Sequence, residues 1–282
     1  MTERLADISA RIDGIRQLGA VVNAMKGIAS ARARIARTQI EAVDGYAATI
    51  AVAMSGVIGP NAAPSQANTE RVSGKTGLLV FCAEQGFAGA FSERVLDSIG
   101  DDLKTETLFL IGTRGHSIAA SRGVAPTWAV AMPSHTPGVP KLADGITKAI
   151  YRSLQEGRIE GLDVIFTSWK SGRPAVARQA LFPIDLSDFP LATIESPLTQ
   201  IPADSLIDSL SADYFHALVC KAALHAFAAE NEARMEAMSS ASSQIASELE
   251  TFQATLRRVR QEAITAEIIE LGTGAASARD AR

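Results

Sequence analysis

Apolar residues recur at Leu5, Ile8, Ile12, Ile15, Leu18, Val22, Met25 and Ala29, in steps of three and four. That is the period of a helix presenting one stripe to a neighbour. One 3-3 step, Ile15 to Leu18, predicts local overwinding of such a seam. No proline interrupts residues 1–59, so we expect one N-terminal coiled-coil helix there, about 80 Å long at the α-helical rise. Residues 60–76, with Pro60, Pro64 and Gly74, break the period and read as a linker.

The period then changes. Between residues 77 and 200 the apolar runs "LLVFC", "TLFLI", "TWAVAM" and "LDVIFTSW" alternate with helical stretches, which predicts βαβ units in a Rossmann-like α/β domain. The run "AVARQALFP" follows the fourth strand with no room for a helix, so it should pair antiparallel at an edge. The expected sheet has five strands and is mostly parallel.

A second proline-free stretch occupies residues 204–282. Met235, Met238, Ser242, Ile245, Leu249, Phe252, Leu256, Val259, Ala263 and Ala266 keep four-three spacing over more than four heptads, the strongest coiled-coil signal in the chain. Two terminal helices joined by one compact domain can pair only antiparallel. Ile12, Ile15 and Val22 then face Ile245, Leu249, Phe252, Leu256 and Val259. Beyond Ala266 the residues Ile264, Ile268, Ile269 and Leu271 widen the apolar face, so this end should leave its seam and face a surrounding partner.

Composition sharpens this picture. Hydrophobic residues make up 47% of the 282-residue chain but aromatics only 5%, which suits long slim helices. The formal charge of −4 excludes a nucleic-acid-like balance, although Lys26 to Arg37 and "RRVRQ" are locally basic. The basic row at 26–37 lies partly off the seam, which predicts a second, acidic neighbour. Cys82 and Cys220 lack C-x-x-C spacing, so neither a disulfide framework nor structural zinc is expected, and a reducing compartment fits. The N-terminus has no apolar core of a signal peptide. No run approaches the roughly 20 apolar residues of a membrane helix.

Motifs for chemistry are weak. "SGKTG" at Ser73 to Gly77 ends like a phosphate-binding loop, but Thr69 stands where the first glycine belongs and the strand follows instead of preceding. "EQGFAGAF" lacks the dinucleotide fingerprint, and its glycines suit a tight turn. "GHSIA" falls one glycine short of a nucleophile elbow. A free-standing α/β hydrolase using Ser117, helped by His116 and oligomerised by a coiled coil, is the alternative function. His216 and Cys220 share a helix face without further ligands in sight.

"RIDGIRQLGAVVNAMKGIASARARIAR" resembles the N-terminal helix of the gamma subunit of F-type ATP synthases, and "NEARMEAM" with "RVRQEAITAEIIELGTGAAS" resembles its C-terminal helix. "EQGFAGAFSERV", "IGTRGHSIAASRG" and "ARQALFPI" are similar to its first two strand-to-helix turns and last strand. The resemblance implies a non-catalytic central-stalk rotor without a cofactor, coupling proton or sodium flow to ATP synthesis or hydrolysis. Its implied partners are the alpha and beta subunits, the epsilon subunit and the membrane ring of c subunits. The implied place is the cytoplasmic face of a bacterial inner membrane, peripherally bound. Met25 and Lys26 match positions that contact a beta-subunit loop, and Arg234 matches an arginine facing an acidic group of beta. Arg260, Gln261, Thr265 and Glu267 match polar positions near the shaft tip. The chain departs from the pattern at Ser92, where the family has asparagine, at Ser242-Ser243-Gln244 in place of Thr-Asp-Asn, and at Leu256-Arg257 in place of Tyr-Asn.

Overall fold

The computed structural model describes residues 2–59, 75–170, 173–185, 189–190 and 199–280. Its elements, in order, are α1 (Thr2–Ile58), β1 (Thr76–Phe81), α2 (Phe91–Asp97), α3 (Asp102–Thr105), β2 (Thr107–Ile111), α4 (Thr113–Ser121), β3 (Trp128–Val130), α5 (Val139–Gln155), β4 (Gly161–Lys170), β5 (Arg173–Phe182) and α6 (Ala203–Asp280). Residues 60–74, most of the expected linker and including Ser73 and Gly74, lie outside the described residues.

The chain forms two compact units whose borders fall inside both long helices. One comprises Met1–Ile28 with Met235–Arg282, and the other Ala29–Arg234. The larger unit is built on a sheet of order β3-β2-β1-β4-β5. β1, β2, β3 and β4 are parallel, and β5 pairs antiparallel with β4 at the edge, as the missing crossover requires.

Alternate strand residues take opposite faces. Leu79, Phe81, Phe109, Ile111, Val164 and Phe166 share a core with α5 and with Phe215, Val219, Ala223 and Phe227 of α6. Leu78, Val80, Leu108, Leu110 and Ile165 pack instead with Val95, Leu96 and Ala119 of α2 and α4. Both faces are covered, which explains why β1 is apolar at consecutive positions. From Phe215 to Arg234 α6 is buried at nearly every position. Ala36 and Ile40 of α1 join the same core, and Asp44 pairs with Lys221 at 2.7 Å. The expected coiled-coil helix is therefore, over this stretch, a central layer of the α/β unit.

In the smaller unit, Ile8, Ile12 and Val259 are buried and Leu5, Leu249, Phe252 and Leu256 pack against them. The expected 3-3 step is corrected. Leu18 is 54% exposed, and the inward position is Gly19, where an added Cβ would stand 3.4 Å from the Ile245 Cγ2. The inward residues Ile8, Ile12, Ile15, Gly19, Val22 and Lys26 are buried or half-buried and never leave the four-three rhythm. By length and composition alone α1 is apolar enough to cross a membrane, although it holds no continuous apolar run of that length. In this structure Ala47, Ile50, Ala51 and Met54 of that helix are buried within the protein.

Candidate functional site

The carboxyl ends of β1, β2 and β3 meet in one rim, held by two carboxylates. β1 runs into "CAEQGFAGAF", where Phe87 and Gly89 adopt φ values of 62° and 58°. This left-handed turn lifts the Phe87 ring into solvent, 69% exposed. Ser92 at the start of α2 is buried, and its hydroxyl accepts the Ala83 N–H at 3.0 Å. The serine that departs from the family pattern thus ties the turn to its own strand.

Gly112 and Gly115 bring α4 against β1. Gly112 has φ 103°, and a Cβ on it would collide with the Cys82 and Ala83 carbonyls, while one on Gly115 would overlap the Cys82 side chain. The burial that follows pushes the Cys82 thiol up to about 12.

Glu84 follows directly. One of its carboxylate oxygens accepts the Thr113 N–H at 2.9 Å and the Met132 N–H at 2.8 Å, and the other accepts the Thr113 hydroxyl at 2.7 Å. It therefore caps α4, where a negative group suits the exposed N–H ends of the helix. Behind it, the buried Glu230 of α6 accepts the backbone N–H of Glu84 at 3.1 Å and of Gln85 at 3.3 Å.

Arg234, one turn on, completes the network. Its Nη2 donates to Glu230, its Nη1 to Asn231 at 3.1 Å and its Nε to the Gly86 carbonyl at 3.3 Å. Asn231 in turn donates to the Phe227 carbonyl at 2.8 Å. Three of five guanidinium N–H groups are engaged within the chain. Nearby, the buried Glu232 pairs with Arg37 of α1. Glu84 and Glu232 stand inside the quoted motifs that resemble the family, yet no sequence pattern singles them or Glu230 out; the bonds that Glu84 and Glu230 accept from backbone N–H groups and the pairing of buried Glu232 with Arg37 mark them.

The other predicted residues lie in the smaller unit. Lys26 Nζ donates to the Ser239 hydroxyl at 3.1 Å, and Ser242 donates to the Asn23 side chain at 3.2 Å. These pairs give the seam a polar stretch and run in opposite directions along the two helices. Met25, beside Lys26, is half-buried. Ile245, Leu249, Phe252 and Leu256 are half-buried and Val22 and Val259 buried. Arg260, Gln261, Thr265 and Glu267 are all exposed, the Thr265 hydroxyl bonding back to the Gln261 carbonyl at 2.9 Å. Ile264, Ile268, Ile269 and Leu271 stand 49–69% exposed beside them.

Ser117 does not sit on an elbow. It lies within α4, exposed, with its hydroxyl donating to the Thr113 carbonyl at 3.1 Å, and no bond from it to His116 occurs among the described residues. His216 Nε2 lies 3.1 Å from Asp144 and 3.3 Å from the Pro140 carbonyl. No group of three or more metal-capable side chains occurs among the described residues.

One unit is a five-stranded α/β fold and the other a helical pair whose α6 helix exposes Ile264, Ile268, Ile269 and Leu271. The family model described as ATP synthase matches residues 4–278. The chain belongs to the ATP synthase gamma-chain family. Relatives called ATP synthase gamma chain include one from Frankia casuarinae, 26% identical, covering 98% of each chain, and one from Bdellovibrio bacteriovorus, 25% identical, covering 96% of this chain and 97% of that one. Among solved structures, a chain of the Euglena gracilis mitochondrial ATP synthase rotor is 10% identical with a TM-score of 0.65, covering 94% of this chain and 100% of that one. A chain of the Tetrahymena thermophila mitochondrial ATP synthase central stalk and c-ring is 17% identical with a TM-score of 0.56, covering 79% and 99% respectively.

Proposed function

We propose that this chain is the central-stalk rotor subunit of a rotary F-type ATP synthase, itself without catalytic residues, coupling proton or sodium flow to ATP synthesis or hydrolysis in the alpha/beta hexamer. The observation that carries the reading is the end of α6: in a chain of the gamma family, four large apolar side chains, Ile264, Ile268, Ile269 and Leu271, are exposed together. A ring of alpha and beta subunits would cover them.

In this reading Arg260, Gln261, Thr265 and Glu267 contact the ring near the tip, and Met25 and Lys26 face a beta-subunit loop. Arg234 meets an acidic group of beta with the N–H groups its internal network leaves over. A rotor acts by contacts that differ between the conformational states of its neighbour, since equal contacts would shift nothing. The epsilon subunit and the ring of c subunits complete the partners, and the complex sits peripherally on the cytoplasmic face of a bacterial inner membrane.

Native purification from the host tests this. The chain should travel with alpha, beta, epsilon and c subunits and, once isolated, turn over neither ATP nor esters. An isolated chain that hydrolyses esters, and loses the activity in Ser117→Ala, would restore the hydrolase reading.

A further inference from the structure

We propose that Glu84 is a positioning residue of the rotor, linking the rim of the sheet to α6 so that the two bear load as one body. The inference rests on the rotor reading above.

The carboxyl ends of β1, β2 and β3 continue into the turn at residues 84–90, α4 and the stretch at Met132, joined at their bases by backbone bonds from Arg114 N–H to the Ala83 carbonyl and from Gly112 N–H to the Val130 carbonyl; to these Glu84 adds its side chain. Its carboxylate gathers all three, because one side chain at the end of β1 accepts N–H groups from Thr113, just after β2, and Met132, just after β3. The backbone at the same residue is gripped from behind. Glu230 accepts the N–H groups of Glu84 and Gln85, and Arg234 donates to the carbonyl of Gly86. Three consecutive residues are thus fixed to α6 while the first of them fixes the neighbouring strand ends. Glu230 is buried at 4% exposure, and buried hydrogen bonds to a charged group are the strong kind. A force on α2 or α4 therefore reaches α6 through a few short, directional bonds as well as through apolar packing.

The bonding pattern makes a sharp distinction between two substitutions. Glu84→Gln can keep every bond: the amide oxygen accepts the two N–H groups, and the amide nitrogen donates to the Thr113 hydroxyl, which can accept. Glu84→Ala loses all three and leaves the backbone grip of Glu230 in place.

The test uses the assembled ATP synthase in membrane vesicles, with two readouts. Amide hydrogen exchange at Thr113 and Met132 should quicken at least tenfold in Glu84→Ala and stay near the parent rate in Glu84→Gln. Ions pumped per ATP hydrolysed against a large opposing gradient should fall several-fold in Glu84→Ala while hydrolysis continues, and recover in Glu84→Gln. Full pumping by Glu84→Ala despite faster exchange would overturn the proposal. So would unchanged exchange, or a Glu84→Gln complex that behaves like Glu84→Ala. If the parent complex shows no ATP-driven pumping, the rotor reading itself fails, and the exchange rates still report on the link.

Discussion

Arg234 lies one helical turn beyond Glu230 on α6, and its guanidinium donates to the same carboxylate that holds the backbone N–H groups of Glu84 and Gln85. The pair is 7% and 5% exposed at its side chains, so both charges are largely withheld from water, and only the small exposed part of Arg234 is left for a partner. Removing the arginine would leave a buried carboxylate bound only by two amides. We expect Arg234→Ala to destabilise the larger unit by about 3–5 kcal/mol. Glu230→Gln should cost less, since its oxygen can still accept an amide. Chemical denaturation of the two variants checks the order, which the opposite ranking would refute.

Gly115 admits no side chain. Its missing Cβ is where the Cys82 side chain lies, so Gly115→Ala must push α4 away from β1, at a cost of about 1–3 kcal/mol. Gly45, also helical, has open space around it. Gly45→Ala should instead stabilise by up to ~1 kcal/mol, since alanine is the better helix former. Thermal melts of the two variants should move in opposite directions.

Gly19 faces Ile245 at a distance that an alanine methyl fills as ordinary contact. Gly19→Ala should therefore raise the helical melting temperature, whereas Phe252→Asp, which places a charge against Ile8 and Ile12, should lower it by several kcal/mol of stability if that side of the seam is dry. Circular dichroism on both variants decides whether this face is the seam; an unchanged melt for Phe252→Asp would remove the assignment.

Burial pushes the Cys82 thiol up to about 12 and the Cys220 thiol up to about 11, both from 9.0. A raised thiol pKa favours the neutral form in the fold. Its contribution is complete below pH 9 and is lost as pH rises from 9 through 11 and 12. Denaturation midpoints should fall in that window, less steeply for Cys82→Ala. At pH 8 a thiol reagent should modify neither cysteine until denaturant is added; rapid labelling of the folded chain would contradict the burial.

Much of the architecture was legible as pattern. The apolar runs of β1, β2 and β4 are continuous because a strand covered on both faces has no polar register to keep, β3 at the other edge is only three residues long with Ala129 exposed, and β5 took the antiparallel edge because the two residues between Lys170 and Arg173 cannot form a crossover. The polar network was not legible. Glu84 and Asn231 open two of the motifs that resemble the family, but the motifs do not say what these residues or Glu230 bond to; the backbone N–H groups brought to the two glutamates by Gly112 and the turn at Phe87, and Arg234 between Glu230 and Asn231, turn them into a joint.

Sequence periodicity by itself determined that α1 and α6 are long and unbroken, and that a mostly parallel sheet lies between them in the chain. It could not choose between two neighbouring stripes of α1. Leu18 is the more apolar, yet Gly19 holds the inward position, and Lys26 is as half-buried as its neighbour Met25, because adjacent residues differ by only about 100° around a helix and the facing surface decides between them. Ile245 stands opposite Gly19 with room left for one methyl, and Ser239 offers an oxygen to the half-buried Lys26. Burial belongs to a pair of surfaces, and one of the two was written more than 200 residues away.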